Sequence, residues 1–192
     1  MSIQANSGSL KRKPQLLGIA TICQPAHHGR MPTTTTHTAA GSGPHQLIIG
    51  SVTVSTLLGG DDTAGELSLV DVRGLPGSGP GAHIDPWRES FYVVEGELTF
   101  RVEHDGSVES IVAGPGDSVS IPTGVGHAFS VTSGESARYL IMSNPAGIEA
   151  FFADAGEAVD SADLPAEAAA FDRERLLAAF AKHELTPYEF PA

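Results

Sequence analysis

From residue 46 onward the chain reads as short apolar runs broken at close intervals. Residues 47–49 and 52–57 are β-branched runs closed by Gly59-Gly60-Asp61-Asp62. Residues 66–73 alternate apolar and polar with period two, the signature of a half-buried strand. A turn-rich loop, 74–81, follows. Further runs occupy 91–94, 98–102, 108–112, 119–121, 127–131 and 138–142, split by Glu95-Gly96, His104-Asp105-Gly106 and Gly114-Pro115-Gly116-Asp117. Short strands at nearly regular spacing with Gly, Asp and Pro turns predict a sandwich or barrel. After Pro145 the period changes. Ile148, Phe151 and Phe152 fall at helical spacing within 146–159. A second helix is predicted over about 166–183, capped near Asp163, with Phe171, Leu176, Leu177 and Phe180 as its apolar stripe. The tail 186–191 reads as extended.

Three segments follow: a flexible N-terminal arm and linker over 1–45, a β-barrel over 46–145, and a C-terminal helical extension over 146–192 packed on the barrel. The linker character of 24–45 rests on its Thr, Gly and Pro content. At 192 residues the chain is long enough for one domain with a sizeable core.

Charge narrows the partners. The formal net charge is -12, with 23 acidic and 11 basic side chains. The first sixty residues hold Lys11, Arg12, Lys13 and Arg30 and no acidic residue, so a basic arm precedes an acidic body. An acidic body lacks the footprint that neutralises nucleic-acid phosphates, and it is repelled by anionic membrane surfaces. The apolar run 16–23 after Lys11-Arg12-Lys13 departs from a secretory signal in its shortness and in Gly18 and Thr21. No stretch reaches the roughly 20 apolar residues of a membrane span. The expectation is therefore a cytoplasmic protein with no nucleic-acid or membrane partner. One cysteine, Cys23, rules out an internal disulfide framework and a cysteine-rich zinc site.

Of the eight histidines, His27, His28, His37, His45, His104 and His183 read as linker, turn or helix-end residues with no site to explain. His83 and His127 have chemical company. His83 and Asp85 are two apart, so on a strand they face one point. Glu89 opens the next strand on the face of Phe91 and Val93. Pro122 and Gly124 make a turn that delivers His127 to the head of a strand. Two imidazoles and two carboxylates converging inside a barrel suit a divalent transition metal; a hydrogen-bonded structural network is the alternative.

These two segments resemble the paired motifs of the cupin superfamily. The first is matched at Gly77, His83, Glu89 and Gly96, with Asp85 where the family's second histidine stands. The second is matched at Gly116, Pro122, Gly124 and His127, with Val131 in the place of the final asparagine. The stretches ESFYVVEGELTFRV and GPGDSVSIPTGVGHAF are similar to single-domain bacterial cupins of the quercetin-dioxygenase-like group. The resemblance covers roughly 46–185. It implies an all-β, jelly-roll-like conical barrel, as a homodimer. It also implies a metal on His83, Glu89 and His127 with Asp85 as fourth ligand, and oxygen-dependent chemistry on an aromatic or enolic small molecule.

Asp85 changes the electrostatics. With both carboxylates ionised, a divalent ion is fully neutralised, which favours iron or manganese over nickel, cobalt, copper or zinc. Alternatively Asp85 does not ligate and acts as a base, or the barrel works without a metal, as a non-oxidative cyclase, isomerase or lyase or as a binding module. Glu89 and Asp85 are the candidate catalytic residues. Trp87, Phe91, Phe100, Phe129 and Met142 are the candidate pocket wall, with core packing as their alternative role.

Overall fold

A computed structural model describes residues 35–191. The basic cluster, the 16–23 run, Cys23, His27 and His28 lie outside the described residues. The elements in chain order are β1 (His45–Ile48), β2 (Val52–Leu58), α1 (Gly60–Thr63), β3 (Ser68–Gly74), β4 (His83–Ile84), β5 (Arg88–Glu95), β6 (Leu98–His104) and β7 (Ser107–Ala113). They continue with β8 (Ser118–Ile121), β9 (His127–Val131), β10 (Ala137–Asn144), α2 (Ile148–Ala155), β11 (Glu157–Val159), α3 (Arg173–Lys182) and β12 (Thr186–Pro187).

The strands form two antiparallel sheets. One has the order β11-β1-β2-β3-β10-β5-β8, the other β12-β4-β9-β6-β7. Period-two patterning sets what faces inward: along β3 the residues alternate strictly between buried and half-buried, and along β5 Glu89, Phe91 and Val93 are buried. Between the sheets lies an aromatic cluster. Phe91 stands 4.9 Å from Phe100 and 5.0 Å from Phe129 between ring centroids, and Phe129 stands 5.8 Å from Tyr139. The two-sheet barrel expected from the strand spacing is present.

The C-terminal segment differs from its sequence pattern in three ways. The first helix ends at Ala155, because Gly156 is extended (φ -97°, ψ 170°) and the chain continues as β11 against β1. The second helix begins at Arg173, not near 166. Ala169 N–H is held by Gly50 O, outside any helical ladder, and the cap is Asp172, whose side chain accepts from Arg175 N–H. The stripe is narrower than expected: Leu177 and Phe171 are exposed, while Ala179 is buried and Leu176 and Phe180 are half-buried. His45, read as linker, is buried at the head of β1, where Nδ1 meets Ser55 Oγ at 2.7 Å.

Among the described residues no helix is long and apolar enough to cross a membrane.

Candidate metal centre

The two sequence segments meet across the two sheets. His83 on β4 pairs directly with His127 on β9 in the five-stranded sheet. Glu89 comes from β5 of the seven-stranded sheet, in register with Ile121 and Ser143. Asp85 lies just past the two-residue β4, and its carbonyl accepts from Gly124 N–H at 3.1 Å. That bond ties the first segment to the turn of the second. Gly124 has φ +80°, a conformation that a side chain would strain. The preceding loop, 77–81, is stitched to β9 by Gly77 N–H to Val131 O (2.9 Å) and Val131 N–H to Ser78 O (2.8 Å). A Cβ on Gly79 would lie 2.0 Å from Phe129 O, so only glycine allows this approach.

His83, Asp85, Glu89 and His127 are all buried, and one ligand atom from each falls within 4.8 Å of every other. His127 Nε2 is 3.4 Å from both Asp85 Oδ2 and Glu89 Oε2, and His83 Nε2 is 3.5 Å from Asp85 Oδ2. Each imidazole is held by the carbonyl two residues before it: His83 Nδ1 by Gly81 O at 2.8 Å and His127 Nδ1 by Val125 O at 3.0 Å. A carbonyl only accepts, so both Nδ1 atoms carry the proton and both Nε2 lone pairs face the cluster in the neutral rings. This is the arrangement by which proteins orient metal-ligating histidines.

Asp85 Oδ2, Glu89 Oε2 and His127 Nε2 are buried with no hydrogen-bond partner. Three unpartnered ligand atoms at one point are costly unless a cation joins them. The 3.4 Å separations of His127 Nε2 from the two carboxylate oxygens also match neighbouring ligands at about 2.1 Å from a shared ion. The donor set therefore fits a divalent metal. In its absence, burial pushes the Glu89 carboxyl up, reinforced by the charge of Asp85 and opposed by His127. For His83, burial disfavours the charged ring, but its contact with Asp85, the charges of Asp85 and Glu89, and the Gly81 carbonyl outweigh it and hold the imidazole above its usual value. Tyr139 is pushed up chiefly by burial, then by the Glu89 charge, so its phenol stays protonated.

A cavity of about 410 Å³ opens onto the cluster. Trp87 and Phe129 line it. Phe91 and Phe100 are buried behind Phe129 and do not line it. Met142, expected in the pocket wall, is instead 41% exposed on the outer face of β10, because the inward positions of that strand are Tyr139, Ile141 and Ser143. Pattern reasoning did not assign Ser78, Tyr139, Ile48 or Leu185 to the wall. Phe151 and Phe180 also line the cavity, although their helical spacing marked them only as packing residues.

Residues 71–143 match the family model described as Cupin domain. A mutant of Bacillus subtilis oxalate decarboxylase superposes with a TM-score of 0.53 at 18% identity, covering 60% of this chain and 31% of that one. The same enzyme at pH 4.6 gives a TM-score of 0.52 at 18% identity over 60% and 30%. A further structure, concerned with the Mn(II) centres of that decarboxylase, gives 0.53 at 18% identity over 60% and 31%. The match thus spans under a third of the length of these neighbours, and at this identity it concerns the fold. No curated protein matches the sequence.

Proposed function

We propose that this chain is a metal-dependent cupin enzyme that holds iron or manganese on His83, Asp85, Glu89 and His127, and that it is an oxygenase for an aromatic or enolic small molecule. The observation that carries the reading is the pairing of the buried four-residue cluster, three of whose ligand atoms have no partner, with an apolar cavity opening onto it. A bound divalent ion would supply Lewis acidity and a site for dioxygen and an enolate oxygen. The chain's own part is to orient and to exclude water. Gly81 and Val125 hold the imidazoles, while Phe129, Phe151 and Phe180 form an apolar wall beside the ligand atoms. Glu89 would hold the ion through Oε2, leaving its other carboxylate oxygen as the base that takes a hydroxyl proton from substrate.

The Mn(II) centres of the oxalate decarboxylase neighbours support the choice of metal, but the charge of the cavity wall does not favour oxalate. Among the described residues no lysine or arginine lines it to meet a dianion.

The test is metal analysis of reconstituted protein with oxygen uptake on enolic aromatics. About one equivalent of iron or manganese and substrate-dependent oxygen loss are expected. Less than about a tenth of an equivalent overturns the metal reading. A non-oxidative reaction is the second reading, favoured by the buried Asp85 Oδ2 as a base beside both imidazoles. Turnover that persists under nitrogen selects it.

A further inference from the structure

The two histidines reach the cluster from segments with few ladder bonds of their own. β4 is two residues long, and it meets β9 at a single pair, His83 with His127. Each ring is oriented by a carbonyl of its own segment, Gly81 O for His83 and Val125 O for His127. A shift of either segment therefore carries its Nε2 atom with it. Ligand atoms that stand 3.4 to 3.5 Å apart tolerate little of such movement.

One residue of the C-terminal tail touches both segments. Tyr188 N–H donates to Ala82 O at 2.9 Å, one position before His83. Its ring lies against Gly126, one position before His127. A Cβ on Gly126 would fall 2.4 Å from the ring's Cε1, 2.5 Å from Cδ1 and 2.6 Å from Cζ. Gly126 does not adopt the left-handed backbone that elsewhere calls for glycine. What its missing side chain provides is the room that the ring occupies.

Both sides of this contact are fixed. Thr186 and Pro187 pair with Ile84 and His83 as β12. The Tyr188 and Phe190 rings meet edge-on at 5.6 Å between centroids, and the Arg101 guanidinium lies over Phe190 at 4.4 Å. Gly126 is held in turn by β6, since its carbonyl accepts from Glu103 N–H at 2.8 Å. The ring thus bears on a backbone that a neighbouring strand secures.

We infer that Tyr188 is a positioning residue of the metal centre: with its backbone on Ala82 and its ring on Gly126, it sets the spacing between the segments that carry His83 and His127. It is not part of the cavity wall and acts only through the two imidazoles. The inference rests on the proposed function only for what the histidines hold.

A double-mutant cycle on the full chain tests it. Cobalt(II), whose visible absorption reports its ligand geometry, is the probe, and its affinity is read by chelator competition. Loss of a support behind a metal ligand weakens a site by about 10–100-fold, so Tyr188→Ala is expected to cost at least about tenfold in cobalt affinity and to move the absorption bands. Tyr188→Phe keeps the ring carbons on Gly126 and should stay within about twofold of wild type. Gly126→Ala puts a methyl where the ring lies and should also cost about tenfold or more. Added to Tyr188→Ala, where the methyl has room, it should cost less than about twofold further. Melting temperatures of the metal-free variants separate the two roles, because a merely structural tail lowers them without changing affinity or bands.

Unchanged affinity and bands in Tyr188→Ala overturn the inference, whatever its melting temperature. So do losses from Tyr188→Ala and Gly126→Ala that simply add, or a Tyr188→Phe variant as weak as Tyr188→Ala. Should Tyr188→Ala fail to fold, Tyr188→Leu takes its place in the cycle. If the wild-type chain takes up neither cobalt nor iron nor manganese, the metal reading fails and imidazole NMR signals of the metal-free chain decide this one. Tyr188→Ala should then shift the signals of both His83 and His127, and unchanged signals overturn the inference. One equivalent of cobalt held equally well by wild type and Tyr188→Ala leaves the metal reading standing and removes this one.

Discussion

His83 and His127 share one local device: each ring gives Nδ1–H to the carbonyl two residues upstream and turns Nε2 into the barrel. The two carboxylates complete the set from the loop after β4 and from β5. Removing an outer partner of a ligand commonly weakens a metal site by about 10–100-fold, so losing a ligand should cost at least the upper end of that range. Glu89→Gln and Asp85→Asn are each expected to lower metal affinity by about 100-fold or more in chelator competition. Unchanged affinity in Asp85→Asn would remove that residue from the ligand set. Phe100 serves packing instead, fully buried against Phe91 and Phe129 and away from the cavity. Phe100→Ala is expected to cost about 3–5 kcal/mol in denaturant unfolding, with about one equivalent of metal still bound where the variant is folded. His83, Glu89 and His127 were legible because residue type, period and turn placement pointed to one centre. Met142 was misplaced because alternation gives two faces and only strand register says which is inside.

Helices α2 and α3 are joined by a clasp at their ends. Asp154 accepts from Lys182 Nζ at 2.6 Å and meets His183 Nε2 at 2.5 Å, while Arg175 reaches the carbonyls of Asp154 and Ala153. The hydrogen bond from Lys182, then that from His183, holds the Asp154 carboxyl below the usual carboxylate range. A carboxyl whose folded pKa is depressed adds stability above its unfolded value, near 3.8, and loses that stability as pH falls through the folded one. Wild type should therefore melt slightly above Asp154→Asn at pH 6, and the difference should vanish in acid below the folded pKa. A gap that persists there would mean that the clasp acts by packing. The helical period told that helices were present here, but not where they begin. Residues 166–172 have helix-forming composition, yet Ala169 bonds to the β1–β2 turn and Thr53 Oγ donates to Ala162 O. Long-range hydrogen bonds of this kind leave no periodic trace.

Across the molecule, the segment after Pro145 closes both sheets. β11 extends the seven-stranded sheet beside β1, and β12 extends the five-stranded sheet beside β4. Tyr188 N–H donates to Ala82 O at 2.9 Å, and Arg101 lies over the Phe190 ring at 4.4 Å. The tail thus braces the two-residue strand that carries His83. Deleting residues 186–192 should expose that strand's edge and weaken metal binding by about 10–100-fold, as loss of an outer support does elsewhere. Unchanged affinity in the chelator assay would show that the β4–β9 pairing suffices.

Period-two runs and their turn residues already specify a β-barrel, and the spacing of Gly77, His83, Glu89, Gly96, Gly116, Pro122, Gly124 and His127 resembles the cupin motifs, which implies a buried cluster. Local pattern can do this because strand alternation and turn chemistry are short-range properties. Folding in three dimensions settled the rest. It brought Trp87, Ser78, Phe151 and Phe180 to the lining of one cavity, turned Met142 outward, and drew the last residues into the sheet that holds His83. These outcomes depend on which strand lies beside which and on what fills the space between the sheets, relations between residues far apart in the chain.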